Sequence, residues 1–251
     1  MATPYFDRKE INNVCQLGTW KNVVFKEFES TLMNKSRPFP CLFGVAGFKK
    51  DQLRFAFSEN MQAEDIAAPL EHFVENSRDY GANTSLVIFS KPCDVKSVQN
   101  YNSRFWLLLR ELARLDRHAW PSNFPVEIDT PDWEFCFAGE PIFVVCNTPA
   151  HVQRQSRRST AFMVTFQPRW VFENLLGTPK SAEIAFNNVR SRLLEFDLSA
   201  PSPHLGKYGQ QDVREFRQYF LLENDMAASC PFHSLNNRHC DEDGKMEAFK
   251  S

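Results

Sequence analysis

The sequence predicts an α+β fold in a single domain: a mainly antiparallel central sheet packed by several helices. Five short runs have the β-branched and aromatic composition of strands, centred near Phe55, Ile88, Phe135, Phe143 and Val164. Apolar residues recur at helical spacing around and between them. The chain has 251 residues, enough to bury a sizeable core.

Residues Phe6 to Asn34 read as an amphipathic helix, with Leu17, Trp20, Val24 and Phe28 on one face. Arg37-Pro38-Phe39-Pro40 ends it and forces an extended connection. Cys41 follows, ahead of Gly44 and Gly47, which permit close backbone approach. Leu53 to Phe57 alternates as a strand, with Arg54 between apolar neighbours. Ala63 to Arg78 is a helix with Ile66, Leu70, Phe73 and Val74 inward, and Ser85 to Phe89 a buried strand. Val95 to Ala119 is a long helix carrying Phe105, Trp106, Leu109, Leu112 and Leu115 on a broad apolar face. A carboxylate-bearing loop, Pro121 to Trp133, enters the strand Trp133 to Ala138. Gly139-Glu140-Pro141 marks a turn into the strand that ends at Cys146, and Ala161 to Phe166 forms the fifth strand. Helices follow at Ser181 to Phe196 and Gly209 to Phe220. The domain is expected to span residues 1–240, with 241–251 a disordered tail.

Composition excludes several function classes. The net charge of −2 gives no global attraction for nucleic acid or an anionic membrane. No run of about 20 apolar residues could span a bilayer. The first ten residues lack an apolar signal core, so a cytoplasmic location is expected. The seven cysteines are odd in number and irregular in spacing, which reads as reduced thiols rather than a disulfide framework. The tail pattern C-x2-H-x5-H-C, from Cys230 to Cys240, matches no common zinc module.

The most informative stretch runs from Phe137 to Phe172. After the strand ending at Cys146, Thr148 suits a helix N-cap and Pro149 the first helical position. The expected helix would place His151, Arg154 and Arg158 on one face, about 10 Å from first to last. An imidazole with guanidinium groups beyond it could serve a haem, which needs an axial ligand for iron and cations for its propionates. The same face could equally be an ordinary exposed basic helix.

The motif F-x-G-x-P-x-F-V-V-x-N-T-x-x-H at Phe137 to His151, S-R-R-S at Ser156 to Ser159, Phe39-Pro40-Cys41 and Leu53-Arg54-Phe55-Ala56-Phe57 together resemble the YqcI/YcgG family. The resemblance covers roughly Phe39 to Phe232. It implies haem-dependent N-hydroxylation of a guanidino or amino group on an arginine-like small molecule. The cofactor would be a non-covalent haem b, with O2 as co-substrate and a reductase or chemical donor supplying electrons. A homodimer is compatible with it. His151 is the first choice for the axial iron ligand, with Cys41 or Cys230 as thiolate alternatives. Arg154, Arg157, Arg158 and Arg54 are the candidates to hold propionates. Glu140 is the candidate carboxylate for the substrate cation, although a turn carboxylate can simply face solvent. A haem-binding sensor or carrier without turnover would share the same pocket.

Overall fold

The computed structural model describes residues 4–15 and 17–228. Five strands form one sheet: β1 (Leu53–Ser58), β2 (Ser85–Ser90), β3 (Phe135–Phe137), β4 (Glu140–Asn147) and β5 (Met163–Pro168). Their spatial order is β1-β2-β5-β4-β3. The helices are α1 (Arg8–Val14), α2 (Trp20–Met33), α3 (Leu42–Lys49), α4 (Ala63–Asn76), α5 (Val98–Leu115), α6 (Arg169–Leu175), α7 (Pro179–Phe196) and α8 (Phe216–Tyr219). The architecture is the α+β class read from the sequence, and each expected strand is present.

Only β1 and β2 run parallel, in register from Leu53 opposite Ser85 to Ser58 opposite Ser90. A parallel pair needs a long crossover, and α4 supplies it. The remaining pairings are antiparallel. β3 and β4 form a hairpin whose two-residue loop is Ala138 (φ 52°) and Gly139 (φ 73°). Two positive φ values in succession match the twist of the flanking strands. Glu140 therefore begins β4 instead of sitting in the turn.

Strand alternation gives the sheet two different faces. Leu86, Ile88, Val144, Cys146, Val164 and Phe166 point to one side and pack on Ile66, Leu70 and Phe73 of α4 and Phe105, Leu109 and Leu112 of α5. All are buried, at about 1.5–3 kcal/mol for each large apolar side chain. On the other side, Leu53, Phe55, Val87 and Phe89 meet Val24, Phe25 and Leu32 of α2 and Phe48 of α3. Towards β4 and β5 this second face turns polar, with Asn147, Thr165 and Gln167, and there it opens into a cavity.

Four expectations change. The long N-terminal helix is divided at Gly18 (φ 82°) into α1 and α2, and Leu17 is 91% exposed. The Gly-containing segment after Cys41 is a helix. The helix from Gly209 shrinks to the four residues of α8. No α-helix begins at Pro149: between β4 and β5 the helical structure is a short 3-10 turn, Gln155–Arg157.

Candidate active-site cavity

The loop between β4 and β5 is held by the chain's late residues. Thr148 forms a bridge to Arg158. The Glu223 carboxylate accepts from the backbone N–H groups of Val152 (2.5 Å), Gln153 (2.7 Å) and Arg154 (3.4 Å). Three successive donors on one carboxylate substitute for the hydrogen bonds a helix would have made. The Arg154 guanidinium is fully buried and donates to the carbonyls of Leu222, Ala200 and Asn224 and to Asp225. His151 is fully buried as well. Its Nε2 lies 2.8 Å from the Leu221 carbonyl oxygen and its Nδ1 2.9 Å from Thr148 Oγ1. Burial lowers its pKa, so the ring is neutral, with Nε2–H donating and Nδ1 accepting.

A cavity of about 630 Å³ lies between the second sheet face and α7, within the size range of ligand sites. Its walls are mostly apolar: Phe143, Val145 and Met163 from the sheet, Phe43 and Phe172 from α3 and α6, Ala185, Phe186, Val189 and Leu193 from α7. α7 is anchored at its end by Asp197, which accepts from Ser156 N (2.6 Å) and Oγ (2.9 Å).

One part of the wall is cationic and carries a thiol. Arg157 is 8% exposed and donates through Nη2 to the Gln218 carbonyl (2.9 Å), while its buried Nη1 has no hydrogen-bond partner. Burial pulls its pKa down to about 10, so it stays charged at neutral pH. Cys41 caps α3, its Sγ accepting from Gly44 N at 3.3 Å. Cys41 is exposed and is one of the residues lining the cavity. Burial pushes its pKa up, against the pull of the Gly44 and Phe43 N–H groups and of Arg157.

Another part of the wall is acidic. Arg169 pairs with Glu215 through two bonds (3.1 and 2.9 Å), and its Nε lies 3.2 Å from Glu134 Oε2. The Tyr208 ring lies on its other side, 3.4 Å from centroid to guanidinium carbon. Glu215, Arg169 and Tyr208 line the cavity; Glu134, wholly buried, sits behind.

Of the residues selected from the sequence, Cys41, Arg154 and Arg157 border the cavity. His151, Arg158, Arg54 and Glu140 are not among its lining residues. His151 has both ring nitrogens engaged within the protein, so it presents no free ligand atom in this arrangement. Arg158 donates to the carbonyls of Pro149 and His151. Arg54 stacks on Tyr80 at 4.0 Å, and Glu140 pairs with Arg78 at 2.7 Å. Cys230 and the Cys/His tail lie outside the described residues. Sequence reasoning missed Glu134, Arg169 and Glu215. The available signal was Arg169 directly after an apolar strand; its partners lie 35 and 46 positions away.

The comparisons with known proteins agree on a family. The chain is 41% identical over 231 residues to the uncharacterized protein YcgG of Bacillus subtilis (strain 168), covering 88% of this chain and 91% of that one. It is 39% identical over 227 residues to YqcI of the same organism, covering 87% and 89%. The provisionally named N(omega)-hydroxy-L-arginine synthase DcsA of Streptomyces lavendulae is 32% identical over 228 residues, covering 86% and 85%. No solved structure matches. No helix among the described residues is long and apolar enough to cross a membrane. The YqcI/YcgG family model matches residues 28–233, and the chain belongs to the YqcI/YcgG family.

Proposed function

We propose that the protein is a haem-dependent monooxygenase that N-hydroxylates a guanidino or amino group of an arginine-like small molecule with O2. The observation that carries this reading is that Cys41 and Arg157, whose Nη1 has no hydrogen-bond partner, line one largely apolar cavity. An orphaned buried guanidinium N–H is costly unless a ligand accepts from it, and a carboxylate is its best acceptor. The residues present fit a haem: apolar walls for the ring, Arg157 for a propionate, and Cys41 for iron in place of His151. The name borne by DcsA supports an arginine-like substrate.

Bound here, the haem would supply O2 activation with electrons from an external donor. The chain's own work is to hold, orient and exclude water. The α3 N-terminus gives the Cys41 sulfur a backbone donor, which stabilises thiolate, and metal binding deprotonates a thiol outright. Arg157 neutralises a carboxylate without leaving its bond to Gln218. Arg154 spends its donors on carbonyls and Asp225, so it shapes the wall instead of gripping a ligand. The α7 side chains exclude water from the sheet face.

The purified protein loaded with haem tests the reading. A Soret band that shifts with carbon monoxide after reduction is expected, with the red-shifted position of a thiolate complex. Cys41→Ser preserves a capping oxygen yet should abolish that signature. An unchanged spectrum in the variant, or no haem uptake by the wild type, overturns the assignment. Multiple turnovers with arginine and other guanidines separate an enzyme from a haem carrier.

A further inference from the structure

We propose that Glu215 receives the cationic group of the substrate, and that Glu134, from behind Arg169, keeps the Glu215 carboxylate available for it. The proposal rests on the reading of a guanidino or amino substrate and names the residues that would select it.

The argument is one of charge balance in a dry place. Glu134, Arg169 and Glu215 have side chains 0%, 6% and 6% exposed. Two carboxylates share one guanidinium there. Glu173, Tyr208 and Tyr219 are the further groups that bear on them electrostatically, and none is a cation. Of the other cations that line the cavity, Lys207 is exposed, Arg190 donates to the Leu205 carbonyl, and Arg154 and Arg157 donate to the carbonyls of Leu222 and Gln218. The cluster is therefore one positive charge short when both acids ionise, and burial makes that deficit expensive. Burial accordingly raises the Glu215 pKa to about 7, against the pull of Arg169, and raises the Glu134 pKa well above the usual carboxylate range, where the Glu215 charge pushes it further up.

The geometry decides which acid meets a ligand. Glu134 makes only an ion contact with Arg169, neither of its oxygens having an aligned hydrogen bond, and it does not border the cavity. Glu215 does border it. Each carboxylate oxygen has two lone pairs, so Glu215 can hold Arg169 and still accept from a second cation. Arg169 shows how a guanidinium is held here, gripped by a carboxylate and covered by the Tyr208 ring. With Glu134 offsetting the charge of Arg169, a substrate guanidinium or ammonium can supply the missing charge. On binding, it would displace the proton the acid pair otherwise retains.

Calorimetric titration with arginine and agmatine as cations, and citrulline as the uncharged isostere of arginine, tests this. It is run on haem-loaded and haem-free protein from pH 5.5 to 8.5. The wild type should prefer the cations and lose affinity as pH falls through about 7, where Glu215 takes up its proton. Glu215→Gln should weaken cation binding by about tenfold or more and leave citrulline unaffected. Glu134→Gln retains Glu215 but lets Arg169 neutralise it. Cation affinity should fall most at the alkaline end of the range, where the wild-type pair can give up its retained proton to make room for the ligand's charge, a pattern that a packing role for Glu134 would not produce. Equal affinity for arginine and citrulline, or folded variants that bind cations as the wild type does, overturns the proposal. Should Glu215→Gln fail to fold, the wild-type selectivity and the Glu134→Gln profile still decide. The haem spectrum judges the enzymatic reading and the calorimetry judges this one, so either can fail alone.

Discussion

His151 and Leu221 are joined by a 2.8 Å hydrogen bond from the buried imidazole Nε2 to a backbone carbonyl 70 residues later. That bond, with the one to Thr148, makes the histidine a strut between the loop after β4 and the closing segment of the chain.

Replacing His151 by Ala should therefore cost stability instead of iron ligation. A cavity and an unsatisfied carbonyl together predict a loss of about 3 kcal/mol, read from denaturant unfolding. The folded variant should bind haem with the wild-type spectrum. The pH dependence has a fixed sign. Burial holds the folded-state pKa below the ordinary value of about 6.5, so the unfolded chain binds the extra proton first. The contribution of His151 is complete above about pH 6.5 and declines as pH falls towards the folded-state pKa. Unfolding free energies at pH 5 and pH 7.5 should differ less in His151→Ala than in the wild type.

Arg157→Met should separate cofactor retention from folding. The variant loses one bond to the Gln218 carbonyl but also removes an orphaned buried charge, so ligand-free stability should change by no more than about 1.5 kcal/mol. If Nη1 meets a propionate, haem should leave about tenfold or more faster, measured by transfer to excess apomyoglobin. Unchanged release would remove Arg157 from the haem site.

Gly47→Ala probes the seating of the helix that carries Cys41. A Cβ at this position would fall 2.3 Å from the Asn83 carbonyl oxygen and 2.9 Å from Leu53 Cδ2. The nearer atom is backbone and cannot swing aside. Destabilisation of about 2–3 kcal/mol is expected in thermal or denaturant melts, with a displaced thiol environment visible in the haem spectrum.

The strands were legible because their signals are local: Ser85 to Ser90 is buried throughout and reads so from composition alone. α3 escaped notice because Gly44 and Gly47 depress helix propensity in LFGVAGFK, whereas the Cys41 cap and packing on β1 overcome it. The segment after Thr148 misled for the opposite reason. Thr148-Pro149 is a sound helix start in isolation, but Glu223, Leu221 and Leu222 compete for the same backbone and side-chain donors from the far end of the chain. Cys41 and Arg157, singled out by the resemblance of their motifs, do border the cavity. The Glu134–Arg169–Glu215 cluster was not, since no spacing rule links residues that meet only when α6 and α8 fold against β3 and β4.

The clasp formed by Glu223, Leu222 and Leu221 also sets an order of events at the ribosome. The five strands are all translated before residue 170, yet the segment that fixes Arg154 and His151 emerges some fifty residues afterwards. A nascent chain can thus lay down its sheet with the cavity still unsealed, and, on the proposed function, haem capture would fall to the finished polypeptide. Release of a chain stopped after residue 214 should give a product that forms the sheet but does not retain haem on gel filtration.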